Sequence, residues 1–144
     1  MKLGEIAASV GKGLFAGVTG TAAMAVSSTL EMKIRDRQAS DAPAEAAGKV
    51  LGDSEQARFS NLVHWGYGTL WGTVRGLIDA AGLKGKEAAA AHFLAVWGSE
   101  QVMLPALGVA PPFWQWGAKE VAIDAFHHLV YVGATGVAYA ALDR

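Results

Sequence analysis

The residues best suited to chemistry lie on one stripe of the last apolar segment, residues 120–141. Five polar side chains recur there at intervals of three or four: Glu120, Asp124, His127, Tyr131 and Thr135. At 100° per residue they fall within about 80° of one another on a helix. Apart from His128 and Tyr139, the rest of the segment is apolar. A soluble surface helix has the opposite pattern, so we expect this stripe to face polar groups on other helices.

Apolar runs and chain breaks predict an all-α, single-domain chain over residues 1–144. Four long helices are expected, at about 13–35, 60–83, 87–108 and 118–141. Short connections between the later helices favour an antiparallel four-helix bundle. The long polar connection after the first helix predicts a short surface helix, with Asp41 as N-cap, Pro43 in the first turn and Gly52 as its stop.

The first helix has the composition of a membrane span with a small-residue face. Residues 13–30 carry no charge, which meets the usual minimum of about 18 residues for a span. One face is mostly small and ends in an acid: Gly13, Gly17, Gly20, Met24, Ser28 and Glu31. This face predicts a close backbone approach to a neighbouring helix. A cleavable signal peptide, with small residues around Met24, is the alternative interpretation.

Antiparallel order brings ionisable groups from all four helices to one level. At 1.5 Å per residue, these groups lie within about 10 Å of the same height. The predicted site comprises Glu31, His64, Glu100, Asp124 and His127, with Glu120 and His128 as additional members. A charge at the centre of a span costs about 2.5–3.5 kcal/mol, so we expect these groups to face inward and neutralise one another. Arg75 and Asp79, four residues apart, predict a structural ion pair near the opposite end.

Three carboxylates and two imidazoles can share protons, form ion pairs or ligate a divalent metal ion. Metal sites in helix bundles use carboxylates with a Glu-x-x-His pair, and Asp124-x-x-His127 has the same spacing. For each histidine, structural hydrogen bonding is the alternative. For Glu31 the alternative is an interfacial position beside Lys33 and Arg35.

Composition favours a membrane protein and excludes several other classes. Hydrophobic residues make up 52% of the chain and charged residues 17%, against roughly 25% charged in soluble domains. Trp65, Trp114 and Trp116 are expected near one end, as in an interfacial aromatic belt. We therefore predict four transmembrane helices in contact with a lipid bilayer; a soluble bundle that docks onto a membrane or a larger partner is the alternative. The absence of cysteine excludes disulfides and thiolate metal sites, and a net charge of −1 argues against nucleic-acid binding.

A block in the second half of the chain resembles a family of small bacterial proteins. It contains Trp97, Glu100, the run Leu104-Pro105-x-Leu107-Gly108-x-x-Pro111, then Glu120 and His127-His128, with His64-Trp65-Gly66-Tyr67-Gly68 upstream. This pattern is similar to inner-membrane proteins of the YagU type and covers about two-thirds of the chain. The resemblance implies a multi-pass protein of the bacterial inner membrane and no particular biochemistry.

We therefore hypothesise that the protein is a small membrane bundle. The buried acidic and histidine residues that share one level of the bundle would bind a cation or relay protons. Orientation in the membrane is undetermined, because Lys and Arg are divided almost evenly between the two sides. One alternative is an accessory subunit of a homo-oligomer or a larger membrane complex, with the polar level as an internal staple. A membrane enzyme using Asp124 and His127 as an acid–base pair ranks last, since no nucleophile motif or phosphate-binding loop is recognisable.

Overall fold

A computed structural model describes residues 2–38, 42–52 and 57–144. It contains five α-helices: α1 Leu3–Arg35, α2 Ala42–Leu51, α3 Ala57–Ala80, α4 Gly85–Ala106 and α5 Ala118–Leu142. A short 3-10 turn, Phe113–Gln115, precedes α5. No strand occurs within the described ranges, so the all-α prediction is confirmed. Helix α1 begins at Leu3 rather than near residue 13, because its charged first turn is closed by Glu5, which accepts a hydrogen bond from the backbone N–H of Lys2 at 2.9 Å.

The short helix predicted in the first connection is α2, which contacts α3. It ends at Gly52, whose φ of 92° is in the left-handed region that favours glycine. The N–H of Gly52 donates to the carbonyl of Gly48 at 2.9 Å. The predicted cap, Asp41, lies outside the described residues.

Helices α1 and α3 approach each other through opposed glycines. A Cβ atom added to Gly13 or Gly17 would lie under 3.0 Å from the backbone of α3, and one added to Gly72 would meet the backbone of α1 in the same way. Further along, Gly76 packs directly against the backbone of Ser9. This arrangement confirms the close approach predicted from the small-residue face of the first helix, although its partner helix was not predicted.

The polar stripe of α5 faces inward, as predicted. Gly20 of α1 packs against Thr135 and Tyr131. The hydroxyl of Tyr131 donates to the carbonyl of Gly68 in α3 at 2.6 Å. Helix α4 contacts both α3 and α5. Tyr131 and Thr135 of the stripe therefore lie against α1 and α3, whereas Asp124 contacts Trp97 of α4. These contacts explain why an apolar helix carries polar residues.

Several polar side chains are buried, and many large apolar side chains are exposed. Among the residues whose burial the structure describes, seven polar or charged ones are buried: Thr21, Arg75, Asp79, His92, His127, His128 and Thr135. Large apolar side chains on the four long helices face outward, for example Phe15 on α1 and Val137 on α5, which are 73% and 74% exposed. Such extensive exposed apolar surface is typical of contact with lipid or with a partner.

Two of the described helices, α1 and α5, are long and apolar enough to cross a membrane. Only 28% of the most apolar 18-residue stretch of each helix is buried. The core helix of a soluble protein would be mostly buried, and these two helices are not. The other two spans of the predicted four stay a prediction.

A candidate cation site between two helices

Two carboxylates and one imidazole meet between α4 and α5. The group consists of Glu100 from α4 with Asp124 and His128 from α5, and is called here the acid–histidine cluster. One potential ligand atom from each residue lies within 4.8 Å of the other two. Nε2 of His128 is 2.7 Å from Oε2 of Glu100, and Nδ1 of His128 is 3.7 Å from Oδ1 of Asp124. These distances suit a group that shares one small cation.

The backbone fixes the tautomer of His128. Its Nδ1 lies 2.9 Å from the carbonyl oxygen of Asp124, one turn earlier in α5. A carbonyl oxygen only accepts hydrogen bonds, so Nδ1 is the protonated nitrogen. In the neutral ring, Nε2 therefore directs a lone pair toward the carboxylate of Glu100. Two electron-rich atoms at 2.7 Å repel each other unless a proton or a metal ion lies with them.

The other side of the cluster is held by Trp97. Its Nε1 donates to Oδ2 of Asp124 at 2.7 Å. The indole is itself fixed, because it stacks on Phe93 with ring centroids 5.4 Å apart and contacts Phe113 at 6.3 Å. This hydrogen bond leaves the second oxygen of Asp124, Oδ1, facing His128. Outer contacts of this kind orient the ligands of metal sites.

No Lys or Arg among the described residues forms an ion pair with the cluster. Among the ion pairs formed by the described residues, Glu100 and Asp124 each pair with His128 alone. The buried side-chain amide of Gln101 lies beside Asp124. Two carboxylates against one imidazole leave a negative charge in a largely buried place, which favours a bound cation.

A second polar group joins α1 to the start of α5. Glu31 accepts hydrogen bonds from Arg35 at 2.8 Å and from Arg37 at 2.9 Å, and Arg35 also pairs with Glu120. We call these four residues the ionic clamp. His127 lies next to it, with Nδ1 at 2.7 Å from Ser27 Oγ and Nε2 at 3.9 Å from Glu31. Here the acids are neutralised by arginines.

The predicted site residues therefore divide between two places. Glu100 and Asp124 come together with His128, which the sequence analysis treated as an additional member. Glu31, Glu120 and His127 belong to the clamp region instead. His64 is half-buried on α3, and its ring contact is with Trp65, edge-on at 6.5 Å. Asp124 lies on the same helix face as both His127 (i,i+3) and His128 (i,i+4), so the spacing alone did not distinguish the two histidines.

No family model, curated protein or solved structure matches this chain. The resemblance to YagU-type proteins is therefore untested and stays a prediction.

Proposed function

We propose that the protein is a multi-pass membrane protein, an antiparallel bundle of four spans, whose acid–histidine cluster binds a divalent cation. The observation that carries this proposal is the pairing of Glu100 and Asp124 with one imidazole and no basic residue. Buried carboxylates are costly unless paired, and one imidazole can balance the charge of only one of the two, so a bound cation would supply the remaining positive charge.

The outward apolar faces support the membrane placement. Leu94 and Val102 on α4 are 66% and 72% exposed, although α4 is not one of the two helices with clear span composition. Trp114, in the connection before α5, is 71% exposed, as a residue at a membrane–water interface would be. Ionisable residues within spans usually face the bundle interior and mark an ion or proton pathway. By the resemblance in sequence, the bacterial inner membrane is the proposed location.

The donor set suits a first-row transition metal. Two carboxylate oxygens and one imidazole nitrogen match Mn²⁺, Fe²⁺ or Zn²⁺ better than Ca²⁺, which takes six to eight oxygen ligands. Three protein ligands leave an open coordination position for water or a substrate. Trp97 would then act as an orienting group for Asp124.

The test is binding of metal to the purified protein. Protein prepared in mild detergent without chelators should contain a divalent metal in stoichiometric amount, and added Mn²⁺ or Zn²⁺ should raise its melting temperature. Asp124→Asn should abolish that increase. Asp143→Asn is the matched control, because it neutralises an acid just past the end of the same helix. If the wild-type protein melts at the same temperature with and without these metals, the cation site is wrong.

Proton relay by the same cluster is the second candidate, favoured by the 2.7 Å distance between His128 and Glu100. A proton shared between these two atoms would satisfy both without a metal. Glu100→Gln would then lower proton flux into liposomes that contain the protein. Unchanged flux in that variant would remove the relay.

A further inference from the structure

A groove opens on the outer surface between the end of α1 and the first half of α5. Its volume is about 330 Å³, and apolar atoms form nearly all of its wall. Leu30 and Ile34 of α1 line one side and Phe126 of α5 lines the other, and all three side chains are more than half exposed. The volume is within the range of ligand sites, about 300–1,000 Å³. The groove shares no residue with the acid–histidine cluster.

The groove runs along α1 toward the ionic clamp. The α1 residues that line it recur every three or four positions and therefore share one helix face: Ser27, Leu30, Glu31, Ile34 and Arg35. The first and the last are about 12 Å apart along the helix axis. Half of the hydrocarbon core of a bilayer is about 15 Å thick. The groove therefore extends over most of the depth of one lipid leaflet, with charged clamp residues at one end.

A lysine lies beyond the charged end of the groove, on the α5 side. Lys119 precedes Phe126 by seven positions, so the two residues lie within about 20° of each other around α5 and about 10 Å apart along it. Lys119 is in the first turn of α5, and its neighbour Glu120 accepts a hydrogen bond from Arg35 at the end of α1. Lys119 is exposed, and none of the ion pairs among the described residues includes it.

This end of the groove has an excess of positive charge. Its side chains carry four positive and three negative charges, a net charge of +1: Lys33, Arg35, Arg37 and Lys119 against Glu31, Asp36 and Glu120. The hydrogen bonds of Arg35 to Glu31 and Glu120 use three of the five N–H groups of its guanidinium. Two N–H groups of Arg35 and the ammonium of Lys119 can therefore donate to another anion, and phosphate oxygens accept such charge-assisted hydrogen bonds.

The combination of an apolar groove and a positive end distinguishes between two occupants, a lipid and a second copy of the chain. In a two-fold dimer the same surface patch meets itself, so a second copy would bring another positive excess to this end. A phospholipid with a net negative charge would neutralise the excess, and its acyl chain would restore the contacts that an unfilled groove lacks. Exposed Trp114, just before α5, marks the same end of the bundle as the membrane–water interface, where the headgroup would lie.

We infer that the groove binds one anionic phospholipid, with an acyl chain along Leu30, Ile34 and Phe126 and the phosphate between Arg35 and Lys119. The lipid would join the end of α1 to the start of α5 from the outside, as the ionic clamp does from within the protein. This inference rests on the membrane placement proposed above but not on the cation site.

The test is native mass spectrometry of the full-length protein in mild detergent, with dioleoyl phosphatidylglycerol or dioleoyl phosphatidylcholine added. These lipids have the same acyl chains, and only the first has a net negative charge. One phosphatidylglycerol should bind about fivefold or more tightly than phosphatidylcholine, the effect of one basic residue on an anionic headgroup. Lys119→Gln should remove most of this preference. Lys33→Gln is the matched control, because Lys33 lies at the same end of α1 but about 160° around the helix from Glu31.

The apolar part of the groove is tested by filling it. Ile34→Trp places a larger side chain in the groove and should weaken the binding of both lipids about tenfold, as when about two methylene groups lose their contacts. Val26→Trp is the control, because Val26 is also an exposed apolar residue of α1 but does not line the groove.

Equal binding of the two lipids by the wild-type protein would overturn the lipid site, as would equal losses in Lys119→Gln and Lys33→Gln. Normal lipid binding by Ile34→Trp would also overturn it, and dissociation of a dimer in that variant would assign the groove to a second copy. Recovery of the protein in the soluble fraction without detergent would refute the membrane placement itself. Metal-dependent melting of the same preparations tests the cation site separately, so either site can fail while the other is retained.

Discussion

The acid–histidine cluster and the ionic clamp use similar residues in opposite ways. Each contains two carboxylates, and each lies beside one of two adjacent histidines on α5. In the clamp, Arg35 and Arg37 supply two positive charges, so Glu31 and Glu120 are fully compensated. In the cluster, the imidazole of His128 is the only group that can carry positive charge.

The two regions therefore differ in charge balance rather than in residue type. The clamp completes its own electrostatics and fastens the end of α1 to the start of α5. The cluster has one positive charge fewer than the clamp, which the proposed cation or a proton would supply. Matched substitutions in the two regions test this proposal.

The largest contrast is expected between the two adjacent histidines. His128→Asn removes a proposed metal ligand and should weaken Mn²⁺ or Zn²⁺ binding by at least about 100-fold, more than the loss of an outer-shell contact. His127→Asn changes a residue with no contact to the cluster acids, so affinity should change less than about twofold. Isothermal titration of both variants in detergent measures this contrast.

Equal losses of affinity in the two histidine variants would contradict the division into cluster and clamp. A greater loss in His127→Asn would favour the predicted pairing of Asp124 with His127. Circular dichroism of each variant checks that the helices are retained.

A smaller effect is expected from Trp97, which touches the cluster only through Asp124. Trp97→Phe keeps an aromatic ring against Phe93 but removes the Nε1 hydrogen bond of 2.7 Å. Metal affinity should fall by about tenfold, as for other outer-shell contacts. Trp114→Phe is the control, since Trp114 is exposed and has no contact with Asp124. Affinity unchanged in Trp97→Phe would mean that Asp124 is oriented without the indole.

In the ionic clamp, a substitution should change the stability of the protein more than its metal affinity. Glu31→Gln removes the negative charge that Arg35 and Arg37 share. It also replaces one acceptor oxygen of a largely buried carboxylate, which is only 12% exposed, with an NH2 group that cannot accept from Arg37. The melting temperature should fall by several degrees, because one partner of a shielded ion pair is lost. Metal affinity should stay within about twofold of wild type. A loss of affinity as large as that of Asp124→Asn would place Glu31 in the metal site.

The fold was predictable where the residue types on one face of a helix indicate whether that face points inward. The small-residue face of α1 and the polar stripe of α5 both face inward, because helical periodicity assigns a face before any partner is known. The first ten residues of α1 were missed, because Glu5 and Lys12 interrupt the apolar run used to place it. The short helix α2 was found from its turn chemistry, since Gly52 provides a positive φ.

The sequence predicted the height of the site residues along the helix axes, but not the direction in which each side chain points around its helix. Helix lengths placed Glu100 and Asp124 at one level, where the structure brings them together. Adjacent residues on a helix differ by 100°, so only the packing of α4 against α5 decides whether His127 or His128 meets Glu100. His64 was included by height alone, and the sequence held no information on which way its side chain turns.

The smallest expected effect concerns the ion pair at the opposite end of α5, which is open to solvent. Lys12 donates to Asp143 at 2.7 Å, and this hydrogen bond lowers the pKa of the Asp143 carboxyl below its usual value of 3.8. A lowered pKa in the folded state stabilises the protein above the unfolded-state value, and that contribution is lost as the pH falls through the folded value. Because the side chain of Asp143 is 35% exposed, the contribution is weak and screened by salt.

Asp143→Asn should therefore lower the melting temperature slightly at pH 7 in low salt. The difference from wild type should vanish below the folded pKa and in high salt. A salt-independent loss as large as that of Glu31→Gln would show that exposure does not separate this pair from the clamp.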